Sequence, residues 1–216
     1  MHAAVKIALP RFLAQAGVEG KYNHMYLDIK GLVTVGVGYL IDSVASAQQL
    51  EFRTKGGGIA SSGQVAEEWN KVKSRTDLIK KGGAAFAAMT TLELSNNGIE
   101  SMMARKIEAD EKYLKTNPVA RKYYGSFNAY PADAQMAILG IAYGIMPIPP
   151  FGWNKFPEAC HDGDFLTASQ ECSIKNAPPK RNSSHKLMLE NADAVIYNQM
   201  DIDQLWHPTV LLRQVK

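Results

Sequence analysis

Hydrophobic positions follow more than one rhythm along this chain, and each change of rhythm marks a change of element. Near the start, Ala8, Phe12, Leu13 and Ala16 fall on one side of a helix running to about Val18. Pro10 suits the first turn of that helix, where its missing N–H would go unpaired anyway, and Gly20 is placed to end it. From Tyr26 the period shortens to two. Val33, Val35, Val37 and Tyr39 alternate with Thr34, Gly36 and Gly38, and Asp28-Ile29-Lys30-Gly31 supplies a turn, so residues 26–41 predict a β-hairpin. One face of it is apolar and packs. The other is nearly bare of side chains, as the floor of a cleft would be.

Residues 43–63 are polar and glycine-rich around Gly56-Gly57-Gly58 and predict a loop or an irregular third strand. Helical spacing returns at 63–80, 84–93 and 97–116, with Lys81-Gly82-Gly83 separating the first two. Asp133 is a candidate N-cap for a helix over 134–146 that is apolar nearly all round, the mark of a helix buried inside a bundle. Pro147, Pro149 and Pro150 stop it. Shorter helices fit 154–161 and 164–173, the second capped by Asp164, and after a loop at Pro178-Pro179 a last helix fits 183–198. The expected fold class is α+β and mostly helical, one domain over 1–216. A small hairpin lobe (about 19–62) joins a larger helical lobe (1–18 and 63–216).

Composition narrows the function classes. A chain of 216 residues with 46% apolar and 21% charged positions can bury a substantial core. A formal charge of +3 suits approach to an anionic polymer, and without a basic stripe it gives no reason to expect nucleic acid. The longest apolar run, Met136 to Met146, is too short for a bilayer and is broken by Gly140 and Gly144. Pro10 and Arg11 interrupt what would otherwise be a candidate secretory signal. Cys160 and Cys172 lie twelve apart and read either as two buried thiols or as a disulfide. There is no CxxC, the five histidines are scattered, and no metal or other cofactor is expected.

Glu19 and Asp28 are the carboxyl pair with chemistry in prospect. At the end of the first predicted helix the dipole would raise the Glu19 pKa, as an acid catalyst needs, while Asp28 stands at the hairpin beside the face carrying Thr34. Two such groups, one protonated and one ionised, are what glycosidic bond cleavage uses. Taken alone, such a pair is usually a pair of solvated surface groups, or a helix end and a turn-former.

The surrounding string is more specific. Glu19-Gly20, Tyr26-Leu27-Asp28 and Gly31-Leu32-Val33-Thr34-Val35-Gly36-Val37-Gly38 resemble the active-site signature of the phage-type lysozymes, glycoside hydrolase family 24. In that family a helix ends in Glu-Gly, an aromatic precedes the Asp, and a hairpin reads Gly-x-x-Thr-x-Gly-x-Gly. Residues 134–143 look like the family's buried central helix, and 163–182 resemble lysozyme-like domains of phage tails and secretion-system effectors. Two departures stand out: Tyr39 where the family has His, and Tyr143-Gly144 where it has Phe-Asn or Phe-Gln.

The resemblance implies a lysozyme-like fold with its cleft between the two lobes, and a muramidase cutting the β-1,4 bond between N-acetylmuramic acid and N-acetylglucosamine. Glu19 would be the acid, Asp28 would orient water or stabilise the oxocarbenium-like state, and Thr34 would help hold that water. Gly36 and Tyr143 would support the substrate site, and Arg181 would pair with Glu19. The expected partners are peptidoglycan strands, plus an immunity protein if the chain is an effector. The chain would be a monomer with no membrane span, delivered to the periplasm or wall by a phage or a specialised secretion system. Two other readings stay open: a lytic transglycosylase, and an inactive lysozyme fold that binds walls.

Overall fold

In a computed structural model the chain runs α1 (Ala3–Leu13), β1 (Tyr22–Leu27), β2 (Val33–Gly36), β3 (Tyr39–Leu40), α2 (Val44–Gln48), β4 (Arg53–Thr54), α3 (Ser62–Lys73), β5 (Leu92–Glu93), α4 (Asn96–Thr116), α5 (Pro118–Tyr124), α6 (Ala132–Ile145), α7 (Lys155–Asp162), α8 (Phe165–Glu171) and α9 (Pro179–Tyr197). The structure describes residues 1–145 and 153–214, so the proline stop expected at 147–150 lies outside the described residues. The class is α+β and mostly helical. Among the described residues no helix is long and apolar enough to cross a membrane.

Two compact units divide the chain: Ala14–Ala104, and Met1–Leu13 together with Arg105–Lys216. The lobe boundary expected near 62 falls inside the first of these. Its centre is an antiparallel sheet in the order β1-β2-β3, with Tyr26 opposite Thr34, Leu27 opposite Val33, and Val35 opposite Tyr39. The alternating valines pack as expected, Val33, Val35 and Val37 being buried, but Tyr39 lies at the sheet edge and is exposed.

Residues 43–63 hold more structure than a loop. Ser43 and Ser61 form capping boxes that start α2 and α3, and β4 pairs with β5. Helix α3 stops at Lys73, and 3-10 turns occupy Thr76–Lys81 and Gly83–Phe86. The helix expected over 84–93 does not form. The buried Glu68 carboxylate of α3 instead accepts the N–H groups of Thr91 (2.6 Å) and Leu92 (3.0 Å) and the Thr91 hydroxyl (2.7 Å), donors a helix would have needed. Held this way, the chain enters β5, and Leu94 N–H then reaches the Asn23 carbonyl of β1 at 2.8 Å.

In the other unit α6 is buried along almost its whole length, as its uniform apolarity predicts, and packs against α9 and α1. Helix α1 starts at Ala3 rather than at Pro10, which stands inside its last turn. Asp133 does not cap α6. The helix begins one residue earlier, Ala132 N–H bonds to the Ile202 carbonyl (2.8 Å), and the buried Asp133 carboxylate accepts from the N–H groups of Trp206 (2.8 Å) and His207 (2.9 Å) and from Asn191 (3.2 Å). It is an anchor for the C-terminal segment, with its pKa raised by burial against those bonds. Asp164 does cap α8, accepting from Thr167 N–H at 2.9 Å.

Candidate functional site

The Glu19 geometry differs from its sequence-based reading. Helix α1 ends at Leu13, six residues short of Glu19, so Glu19 is not in its last turn and the argument from that helix's dipole falls. Glu19 sits in a turn instead, in which the N–H groups of Val18 and Gly20 both reach the Gln15 carbonyl at 3.1 Å. Its half-buried carboxyl rests on the Cα of Gly38: a Cβ built there would stand 3.2 Å from Glu19 Oε2 and 3.5 Å from Cδ. Gly38 also has φ +63°, a conformation that disfavours any side chain. Two demands therefore fix a glycine at this position, the backbone and the acid.

The face read as a bare floor is covered. At Gly36 the absent side chain admits Ile99 of α4, whose Cγ2 would be 3.3 Å from a Cβ, and at Gly38 it admits Glu19. Thr34, two residues before Gly36 in β2, is only 3% exposed. Its hydroxyl donates to the Leu32 carbonyl at 3.1 Å, so toward a water it has only lone pairs to offer.

Asp28 closes the turn between β1 and β2. Its Oδ1 accepts the N–H groups of Lys30 (2.8 Å) and Leu32 (2.9 Å), which fixes the carboxylate's orientation. No described residue hydrogen-bonds Oδ2, and the side chain is half-buried.

Tyr26 ties these groups together. It lies opposite Thr34 on the same sheet face, two residues before Asp28, and its phenol is buried. Burial raises its pKa; the negative charge of Glu19, then the charge Tyr22 would carry if ionised, then the negative charge of Asp28 push the same way, and a backbone hydrogen bond with Gly38 opposes them. The phenol thus stays protonated, within electrostatic reach of both carboxylates. Tyr22 packs edge-on against Tyr26 with ring centroids 4.9 Å apart. Room for the Tyr22 ring comes from Gly20 and from Gly83, where an added Cβ would stand 2.8 Å from its Cε2. His24 fixes the same segment through Nε2 and the Gly83 carbonyl at 3.0 Å.

Glu19, Asp28, Thr34 and Gly36 therefore belong to one unit, with Tyr22, Tyr26 and Gly38 as members the sequence reading did not assign. Tyr26 was visible as the aromatic before Asp28. Gly83 was legible only as a chain break.

Arg181 and Tyr143 belong to the other unit. Arg181 is no loop residue: α9 starts at Pro179, with proline in its first turn, and the guanidinium is 6% exposed with Nη2 donating to the Gly140 carbonyl at 2.9 Å. It lies over Gly144, where any Cβ would stand 2.4 Å from Nη2. The Tyr143-Gly144 departure thus has a packing reason, because a larger residue at 144 would evict the arginine. Tyr143 is buried, with Lys106 Nζ 5.4 Å from its ring centroid, and Lys106 is held by the buried Asp110 at 2.6 Å. Cys160 and Cys172 are free thiols, both buried; burial raises both pKa values, which makes them poor nucleophiles.

Compared with models of known protein families and with curated proteins, the chain matches none.

Proposed function

We propose that this chain is a muramidase with a lysozyme-like fold, hydrolysing the β-1,4 bond between N-acetylmuramic acid and N-acetylglucosamine in peptidoglycan. The observation that carries the reading is the pair of carboxylates, Glu19 and Asp28, acting on one protonated phenol, Tyr26, opposite Thr34. Glu19 is the acid: it gives its proton to the glycosidic oxygen as the bond to the anomeric carbon breaks. Asp28, oriented through Oδ1, uses Oδ2 to hold water or to stabilise the developing positive charge. The Thr34 hydroxyl, its proton spent on Leu32, accepts from that water. Tyr143 and Arg181 enter as supporting residues on the strength of the sequence resemblance.

Hydrolysis is favoured over lytic transglycosylation because the chain keeps Asp28, its carboxylate oriented by the N–H groups of Lys30 and Leu32; ring closure to an anhydro sugar needs no such group. Mass analysis of sugars released from purified peptidoglycan tests the choice. Reducing-end N-acetylmuramic acid is expected. Products short of one water would make the chain a transglycosylase, and no release at all would leave a wall-binding module.

A further inference from the structure

In the unit formed by Met1–Leu13 and Arg105–Lys216, the link from α4 to α5 and the turn after α5 enclose an open cavity of about 490 Å³. Thr116, Pro118, Arg121, Lys122, Gly125 and Ser126 line it. A smaller chamber of about 190 Å³ adjoins it, sharing Arg121, Gly125 and Ser126 as a common wall and adding Asn128 among others. Among the described residues no Asp or Glu lines either chamber.

The donors in this wall are unspent. Lys115, in the smaller chamber, is already paired with Glu111. Arg121 and Lys122 have no ion-pair partner among the described residues; Lys122 lies over the Tyr123 ring at 5.9 Å, which leaves its charge uncancelled. Neither the Ser126 hydroxyl nor the Asn128 side-chain amide makes a hydrogen bond among the described residues. The Arg121 guanidinium and Ser126 hydroxyl line both chambers, the Lys122 ammonium lines the larger and the Asn128 amide the smaller, with no carboxylate among the described lining residues to balance them, which is the donor set of anion recognition.

The wall is also built to stay in place. Gly125 has φ +60°, and a Cβ there would meet the Tyr130 hydroxyl at 3.2 Å and the His161 carbonyl at 3.3 Å. The Tyr130 hydroxyl in turn shares its one proton between the carbonyls of Tyr124 and Cys160, the latter at 2.6 Å, and Tyr124 and Phe127 are buried on either side of the turn. The turn carrying Ser126 is therefore fixed to α7. Both chambers together give a volume in the range of small-molecule sites, which begins at about 300 Å³ and is well beyond what one inorganic anion fills.

We propose that this cavity binds a compact organic phosphate of about the size of a phosphorylated sugar. The phosphate sits at the shared wall on Arg121 and Ser126, Lys122 neutralises its second charge, and the neutral body lies over Pro118 and Thr116. The site is independent of the carboxyl pair at Glu19 and Asp28.

Calorimetric titration of the full chain at about 0.15 M salt, where loose attraction to exposed cations is screened, provides the test. The probes are glucose 6-phosphate, glucose and inorganic phosphate. Glucose 6-phosphate is expected to bind saturably and more tightly than inorganic phosphate, and glucose not to bind. The double variant Arg121→Gln/Lys122→Gln, whose changed side chains are exposed, is expected to lose at least about tenfold in affinity while keeping its circular dichroism spectrum. Ser126→Ala should lose less. Absence of saturable glucose 6-phosphate binding would overturn the proposal. So would equal affinity for inorganic phosphate, or unchanged affinity in the double variant.

Discussion

At Gly38 one missing methyl group serves two purposes. The backbone needs φ +63°, and the Glu19 carboxyl occupies the space a side chain would fill. Gly38→Ala is accordingly expected to do more than destabilise. Left-handed strain costs about 1–2 kcal/mol, and the added Cβ, 3.2 Å from Glu19 Oε2, must push the acid away. Wall-lytic turnover should fall at least about tenfold while much of the protein stays folded, since a displacement on the order of 1 Å in a positioned group can cost far more. Melting temperature and turnover measured on the same preparation separate the two effects; loss of stability with full turnover would mean that Glu19 does not need this seat. The glycine was legible in the sequence as part of a motif, but its reason was not. The string shows which residues recur, whereas the carboxyl resting on Gly38 comes from a turn at 15–20 that no periodicity announces.

Elements with their own start signals were readable, and those made by distant groups were not. Alternation among Val33, Val35 and Val37 gave the hairpin, and the uniform apolarity of 134–145 gave the buried α6. Helix α5 has its own start signal in Asn117-Pro118, the Asn117 side chain accepting from Val119 N–H and Ala120 N–H. Residues 84–93 are different, because their fate is decided by Glu68, more than twenty positions earlier. Glu68→Ala is expected to release the Thr91 N–H to water and to strand the buried N–H of Leu92, a buried unsatisfied donor costing about 1–3 kcal/mol. Chemical denaturation should therefore show a loss of about 1–3 kcal/mol. Hydrogen exchange should speed first at Thr91 and Leu92, whose N–H groups Glu68 accepts, and at Leu94, whose N–H bonds to the Asn23 carbonyl. Unchanged exchange there would show that β5 holds without its anchor.

For the whole molecule, acid should weaken the fold through a group far from the carboxyl pair in sequence. His185 is completely buried on α9, with neither ring nitrogen hydrogen-bonded, and burial, then Arg181, then His207 lower its pKa to about 3. Around it stand Phe12, Gly140, Arg181 and His207. Unfolded, the imidazole titrates near 6.5. Between those values the unfolded chain holds one more proton, so stability is complete above about pH 6.5 and drains as pH falls toward about 3. Asp133, raised by burial, works in the opposite direction and is common to wild type and variant. His185→Gln should show a shallower loss of denaturation midpoint from about pH 7 to about pH 4, whatever its absolute stability. An unchanged slope would mean that His185 does not titrate with unfolding.

The central claim is that Glu19 is the acid of a wall hydrolase, and Glu19→Gln tests it most directly. The amide keeps the shape of the side chain on Gly38 and removes the proton to be donated, a contribution worth about 10²–10⁴-fold in rate. The measurement is turbidity clearing of purified peptidoglycan by wild type and variant at equal concentration, with folding of both checked by circular dichroism. Clearing by wild type and its near-complete loss in a folded variant is the predicted result. A folded Glu19→Gln protein that clears peptidoglycan at the wild-type rate would contradict the account.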